Sequence, residues 1–166
     1  ILYAAYGPGG VAFLVECLTD NRNRTIANVK AAIGRHGGNF AELGAVQWMF
    51  ERKGLVVGQK GKEGTEGNEG KGSPEELELA LIDLGAEDIT LDEDIMRVVT
   101  GPANWGKVRD FFQEQGLMIL SAGLSYIPTQ SVVVRDPRVS EQIQKFMDAV
   151  EADDDVSQVY TNANFL

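Results

Sequence analysis

Short apolar stretches and helix-like stretches alternate along this chain in an order that few folds accommodate. From residue 55 to 127 the order is strand, helix, strand, strand, helix, strand, which is the split βαβ pattern of ferredoxin-like domains. When that block is set aside, residues 10–50 and 131–162 repeat the same order in two halves. The sequence therefore predicts an α+β protein of two ferredoxin-like (βαββαβ) domains, one inserted into the other.

The expected domain boundaries follow from this order. We expect a discontinuous outer domain over residues 1–52 plus 129–166 and an inserted domain over residues 53–128, and 166 residues suffice for two small domains. Within the inserted domain, residues 59–72 read QKGKEGTEGNEGKG and contain no apolar side chain. Such a composition cannot contribute to a core and predicts a flexible loop.

The first expected strand and helix lie at the start of the outer domain. A glycine turn, GPGG at residues 7–10, precedes the apolar stretch Val11–Val15, which is typical of a buried strand. Asn21 or Asn23 can cap a following helix that ends near residue 35, before Gly37 and Gly38. Its apolar stripe at helical spacing comprises Ile26, Val29 and Ile33.

The other outer strands are predicted from β-branched and aromatic residues. Residues 45–50 are interpreted as a strand with Val46, Trp48 and Phe50 on one buried face. Further strands are expected over residues 131–135 and 156–160, on either side of a helix that begins at Asp136-Pro137.

Charge is distributed unevenly along the chain. Residues 1–60 hold seven Lys/Arg against four Asp/Glu, a net charge of +3, whereas residues 61–166 hold eight against twenty-one, a net charge of −13. The total of −10 argues against a surface that wraps DNA as a whole but permits a local basic face; an acidic surface that serves solubility is the simpler reading. No apolar run approaches the ~18 residues of a membrane span. The single cysteine excludes an internal disulfide and a CxxC pair, as in a reducing compartment.

The basic face would lie on the first helix and the loop before it. Lysine and arginine supply the salt-dependent attraction to phosphate, and asparagine can hydrogen-bond phosphate or base edges. A solvated helix face is the alternative that composition leaves open. The candidate nucleic-acid-binding residues are Asn21, Arg22, Asn23, Arg24, Lys30, Arg35, Arg52 and Lys53. Exposed aromatic residues for base stacking are not identified, because Trp48 and Phe50 are expected in a core.

No set of residues indicates catalysis, a metal or a cofactor. The single histidine, His36, is expected at a helix C-terminus, and Cys17 is expected as a small apolar side chain in a strand. The GPGG turn precedes a strand and lacks a GKS or GKT, so it does not predict a phosphate loop. The acidic stretches at 92–94 and 153–155 lack the spacing of a calcium loop and are interpreted as solvated turns.

Three long motifs resemble the YebC/TACO1 family. They are GPGGVAFLVECLTDNRNRT, RHGGNFAELGAVQWMFERKG and DDDVSQVYTN, and the resemblance extends through almost the whole chain. Family members usually begin with a basic helical domain carrying a GHSKW-like start, whereas this chain opens at Ile1-Leu2-Tyr3. The chain is thus similar to the second and third domains of that family, and the resemblance implies that the third domain is inserted into the second.

The resemblance implies a regulator of gene expression that is not an enzyme. The family includes regulators of transcription that bind DNA and translation factors associated with RNA or the ribosome, and the sequence does not choose between them. The resemblance also implies a cytoplasmic protein, or one of the mitochondrial matrix in a eukaryote. We expect a monomer with a nucleic-acid partner and without a membrane or small-molecule substrate. The alternative is a ferredoxin-like module that binds a ligand or a protein without contacting nucleic acid.

Overall fold

Ten strands and five α-helices make up the parts of the chain that the computed structural model describes, residues 1–60 and 74–165. In chain order they are β1 (Leu2–Tyr6), β2 (Ala12–Cys17), α1 (Arg22–Arg35), β3 (Asn39–Ala41), α2 (Leu43–Val46), β4 (Phe50–Gln59), α3 (Pro74–Asp83), β5 (Ala86–Asp92), β6 (Ile95–Thr100), α4 (Trp105–Glu114), β7 (Met118–Pro128), β8 (Val132–Val134), α5 (Pro137–Glu151), β9 (Val156–Thr161) and β10 (Ala163–Phe165). The predicted α+β class is confirmed. The expected flexible loop, apart from residues 59 and 60, lies outside the described residues.

The elements form two compact units. The first unit comprises Ile1–Glu51 and Ile127–Leu166, and the second comprises Arg52–Tyr126. That each part folds independently, as the domain prediction requires, stays a prediction. None of the helices over residues 1–60 and 74–165 combines the length and hydropathy needed to cross a membrane.

The first unit has a four-stranded sheet in the order β3-β1-β2-β9. Neighbouring strands are antiparallel throughout, with a register shift at Glu16/Cys17 where β2 meets β9. Alternate β2 residues Phe13, Val15 and Cys17 join a buried cluster with side chains of α1 and α5. Both helices therefore lie on the same face of this sheet, as the alternation of a strand requires.

Two expected strands of the first unit are absent from this sheet. Residues 131–135 contain β8, which pairs in parallel with β10 in a separate two-stranded sheet. Residues 45–49 instead form the end of α2 and a 3-10 turn, Gln47–Met49, and Phe50 is the first residue of β4. The strand positions are taken by β3 and by β1, a five-residue strand that the sequence analysis missed.

The burial pattern of residues 45–50 explains why this segment forms a helical turn and not the expected strand. Val46 and Phe50, four residues apart, are buried, whereas Trp48 between them is 58% exposed. A spacing of four places the side chains of Val46 and Phe50 on one side of a helical turn. The turn therefore buries these two residues without Trp48, whereas a strand would place all three on one face. The expectation that Trp48 lies in a core is wrong.

The glycine turn before β2 serves packing. Gly9 adopts a φ of +75°, and a Cβ there would lie 2.8 Å from Cγ1 of Val139 on α5. Glycine is the residue that tolerates both the left-handed backbone and this close approach. The turn thereby brings the start of α5 onto the connection between β1 and β2.

The second unit has a sheet in the order β5-β6-β4-β7 with the element order β4, α3, β5, β6, α4, β7. Strand β6 is antiparallel to both β4 and β5. Its core joins β4 and β6 to α3 and α4 through Val56, Leu81, Met96, Val98, Val108 and Phe112. The predicted order of elements from 55 to 127 is therefore present in this unit.

Candidate nucleic-acid interface

Helix α1, with the loop before it, carries six of the eight residues proposed for nucleic-acid contact. The side chain of Asn21 accepts a hydrogen bond from the backbone N–H of Arg24 at 3.1 Å, so Asn21 is the N-cap. Thr25, Val29 and Ile33 face the core. Ile26, expected in this stripe, is only half-buried, and Thr25 takes its place. Arg22 and Asn23 are exposed at the first turn.

Arg24 differs from the other cations of α1 because its guanidinium is held by a carboxylate. Nη2 of Arg24 donates to Oδ1 of Asp155 at 2.8 Å, and Nε donates to Oδ2 at 3.2 Å. The hydroxyl of Thr25 donates to the same carboxylate at 2.8 Å. This two-point contact joins the first turn of α1 to the turn before β9, and it offsets the positive charge of Arg24.

Asp155 therefore has a structural role that the sequence analysis missed. Its side chain is only 12% exposed. Hydrogen bonds from Arg24 and then from Thr25 hold the pKa of the Asp155 carboxyl below its ordinary value of 3.8. The interpretation of residues 153–155 as a solvated turn is wrong for Asp155, while Asp154 is exposed.

This pKa shift predicts a pH-dependent contribution to stability. Because the folded-state pKa is lowered, Asp155 stabilises the fold fully above the unfolded value, and the contribution disappears as the pH falls through the folded value. We expect Asp155→Asn to lower the melting temperature at pH 7 and to converge with the wild type in strong acid. The control is Asp154→Asn, which should change little. Equal effects of the two substitutions at pH 7 would contradict the role of the Arg24 contact.

Lys30 and Arg35 lie on different sides of α1. An α-helix turns by about 100° per residue. The side chains of Arg24 and Arg35, eleven positions apart, therefore lie on one stripe of the helix. The same geometry places Lys30 roughly 120–140° away from both. The four cations of α1 therefore do not form a single row.

Local contacts restrain the side chains of Lys30 and Arg35. Nζ of Lys30 lies 4.8 Å from the ring centroid of Phe40 on β3, a cation–π contact. Nε of Arg35 donates to the backbone oxygen of Ala31 at 3.3 Å. Both residues are exposed overall, so their charges remain within reach of a phosphate.

Arg52 and Lys53 belong to the second unit. Arg52 is exposed, whereas Nζ of Lys53 lies 2.9 Å from Oε2 of Glu87. Of the eight proposed residues, the structure thus brings together on α1 and its N-cap only Asn21, Arg22, Asn23, Arg24, Lys30 and Arg35.

A mixed-charge groove runs between α1 and the C-terminal end of α5. Two adjoining depressions of about 260 and 480 Å³ share Asn28, Ala152 and Asp153. Arg24 and Arg35 contribute cations from α1, and Asp153 to Asp155 contribute carboxylates from the other side. The groove is open and polar, unlike the enclosed apolar pocket typical of a small-molecule site.

Two exposed aromatic residues in the segment between α1 and β4 were missed. Trp48 is 58% exposed and Phe40 is 36% exposed. The available signal was the helical spacing of Leu43, Val46 and Phe50, which leaves Trp48 on the outer side of a turn.

The residues with catalytic potential occupy structural positions. Burial raises the pKa of the Cys17 thiol to about 11, so the thiol stays protonated at neutral pH. His36 is the C-cap of α1, as expected, and is exposed. The described part of the chain, which omits residues 61–73, has no group of three or more His, Cys, Asp or Glu arranged for a metal ion.

Known proteins match this architecture over nearly its full length. Residues 1–163 match the family model for the TACO1/YebC second and third domain. A probable transcriptional regulatory protein of Clostridium tetani is 39% identical over 98% of this chain and 63% of its own length. One of Thermobifida fusca is 43% identical over 99% of this chain and 62% of its own length.

A solved structure is also similar. The crystal structure of a conserved hypothetical protein, Aq1575 of Aquifex aeolicus, superposes with a TM-score of 0.82 at 33% identity. It is matched over 100% of this chain and 65% of its own chain. The chain therefore spans somewhat less than two thirds of the relatives it matches, and it belongs to the TACO1/YebC family.

Proposed function

We propose that this chain is part of a non-enzymatic regulator of gene expression that acts through nucleic acid. The observation that carries the proposal is the exposed basic surface of α1 in a chain whose remaining charge is strongly acidic. Arg22, Lys30 and Arg35 are exposed there, and residues 1–60 carry +3 against −13 for residues 61–166. Exposed cations on one helix of an acidic protein attract phosphate locally, without binding nucleic acid over the whole surface.

The regulator acts either on DNA in transcription or on RNA and the ribosome in translation. The names of the relatives point to transcription, but those names belong to longer proteins. The cations of α1 contact phosphate in both cases, since phosphate contacts position a protein without reading sequence.

The absence of enzymatic activity is supported by the state of the reactive groups. A nucleophilic cysteine needs a thiolate, and burial keeps Cys17 protonated. His36 lies at the exposed end of a helix, and a general base needs a partner that orients it toward a substrate.

We also propose that both units are ferredoxin-like. In the second unit, the element order and the sheet order β5-β6-β4-β7 support this assignment. In the first unit, the sheet order β3-β1-β2-β9 also supports it. The strand between β2 and β3 in this sheet is β1, from the N-terminal end of the unit. Fold alone fixes no function, so the assignment only supplies the scaffold on which α1 is presented.

The experiment that tests the function is cross-linking of the full-length protein to nucleic acid in cells, followed by sequencing of the bound fragments. Enrichment of ribosomal or messenger RNA would establish action on RNA, and enrichment of promoter DNA would establish action in transcription. Recovery at the level of a protein without nucleic-acid affinity would contradict the proposal.

The second candidate is a module that binds a ligand or protein without nucleic-acid contact. The mixed-charge groove between α1 and α5 favours it, because cations and carboxylates face the same depression. A cross-linking result at background level, together with co-purification of a specific protein partner, would favour this candidate.

A further inference from the structure

Trp48 is the most exposed of the tryptophan and phenylalanine side chains in the described part of the chain. Its side chain is 58% exposed, compared with 46% for Phe165 and 36% for Phe40. Tryptophan is large and highly buried on average in folded proteins. An indole that is more than half exposed to water is therefore unusual and points to a role at the surface.

The exposure of Trp48 does not come from a loosely held segment. The 3-10 turn that carries it lies between Val46, which is fully buried, and Phe50, which is 6% exposed. The backbone oxygen of Met49 accepts hydrogen bonds from the backbone N–H of Thr129 at 2.8 Å and from its hydroxyl at 3.1 Å. The turn is thus fixed on both sides and from a second segment.

The indole ring is oriented by its own polar atom. Nε1 of Trp48 donates to the backbone oxygen of Ala45 at 2.9 Å. Because indole has a single donor, the exposed part of Trp48 offers a partner an apolar π surface and no hydrogen bond. This surface suits a planar ring that stacks on it.

The other exposed aromatic residue of this segment is already occupied. The ring of Phe40 has Nζ of Lys30 at 4.8 Å from its centroid and the Tyr3 ring at 6.0 Å. Trp105 in the second unit is half-buried and has the guanidinium of Arg109 at 5.2 Å. Trp48 has no such ring or cation contact among the described residues.

We propose that Trp48 is a stacking platform for an unpaired base of single-stranded nucleic acid. The inference rests on the proposed function and adds the class of nucleic acid, because a base in a duplex is stacked on its neighbours and cannot cover an indole. Stacking tolerates every base, since each has a π face. Exposed Gln47 beside Trp48 can hydrogen-bond a base edge.

The test measures binding of a fluorescein-labelled oligouridylate, and of the matching oligothymidylate, to the chain at several salt concentrations. Trp48→Leu should weaken binding by about 5- to 150-fold, the range of one lost stacking contact. The slope of log affinity against log salt should not change, because no charge is removed. Trp48→Phe keeps a π face and should retain most of the affinity.

Two controls separate stacking from other effects. An abasic oligonucleotide of the same length keeps the phosphates, so wild type and Trp48→Leu should bind it equally. In a Trp105→Phe background, Trp48 is the only tryptophan, and its fluorescence should be quenched by oligouridylate but not by the abasic strand. Melting curves of both Trp48 variants exclude unfolding as the cause of a lower affinity.

The outcomes distinguish this inference from the proposed function. Wild-type affinity of Trp48→Leu, with salt-dependent binding intact, overturns the stacking role and leaves the proposed function standing; Trp48 then faces a protein or no partner. Equal losses in the leucine and phenylalanine variants also overturn it. If the wild-type chain shows no salt-dependent binding to either oligonucleotide, the stacking role fails, whereas the proposed function, which also covers duplex DNA, is decided by the cross-linking experiment.

Discussion

Replacing Phe146 with alanine should destabilise the first unit by about 3–5 kcal/mol, the usual cost of deleting a buried aromatic ring. Phe146 of α5 is completely buried, and its ring centroid lies 4.6 Å from that of Phe13 on β2. It also fills the space above Gly38, where a Cβ would clash with the ring and would lie 2.8 Å from the backbone oxygen of Tyr6. The ring thus joins α5, β2 and the turn after α1.

The measurement is urea unfolding combined with hydrogen exchange of amides in β2 and in β6. Phe112→Ala is the matched variant, because Phe112 is equally buried in the core of the second unit. Each substitution should remove protection mainly in its own unit. A cost below about 1 kcal/mol for Phe146→Ala would contradict the cavity argument, and equal loss of protection in both units would contradict independent folding.

The order of elements in the second unit could be predicted because its signals are local. Each helix shows apolar residues at helical spacing and ends near a glycine, such as Gly85 and Gly116, both of which have positive φ. The Asn21 cap of α1 is a signal of the same kind, confirmed by its hydrogen bond to the backbone N–H of Arg24.

The strands of the first unit could not be assigned by such signals. Strand β1 has five residues, LYAAY, and belongs to the sheet because β2 and β3 flank it. Residues 132–134 have strong β propensity but pair with β10 instead of the main sheet. Propensity indicates an extended segment, while the partner is decided by packing over long sequence separations.

The sequence predicted that the candidate site is a positively charged helix, but it did not predict how the side chains of the site are placed. Counting charges identified α1, but the partner of Arg24 is Asp155, 131 residues away. The exposure of Trp48 likewise depends on how a four-residue helix and a 3-10 turn replace an expected strand. Long-range pairing therefore distinguishes Arg24, which a carboxylate holds, from the other cations of α1.

That separation revises which cations should matter for binding. The binding set that we now propose is Arg22, Lys30 and Arg35, because the carboxylate of Asp155 holds Arg24. Replacing these three residues by glutamine should leave the melting temperature nearly unchanged, since exposed charges contribute about 0–1 kcal/mol per pair. Arg24→Gln should show the opposite pattern, with a lower melting temperature and little change in the salt slope.

The three-residue variant should bind single-stranded nucleic acid with a smaller salt dependence. Each lost phosphate contact removes about 0.7 from the slope of log affinity against log salt, so three contacts remove roughly 2 units and weaken binding by about 50-fold at 0.15 M salt. The measurement is the affinity for oligouridylate over a series of salt concentrations, beside melting curves. The charge-matched control replaces three exposed cations of other helices, Lys107, Arg138 and Lys145, by glutamine. Equal losses in the two variants would show that net charge governs binding, and an unchanged slope in the α1 variant would show that α1 is a solvated face without phosphate contacts.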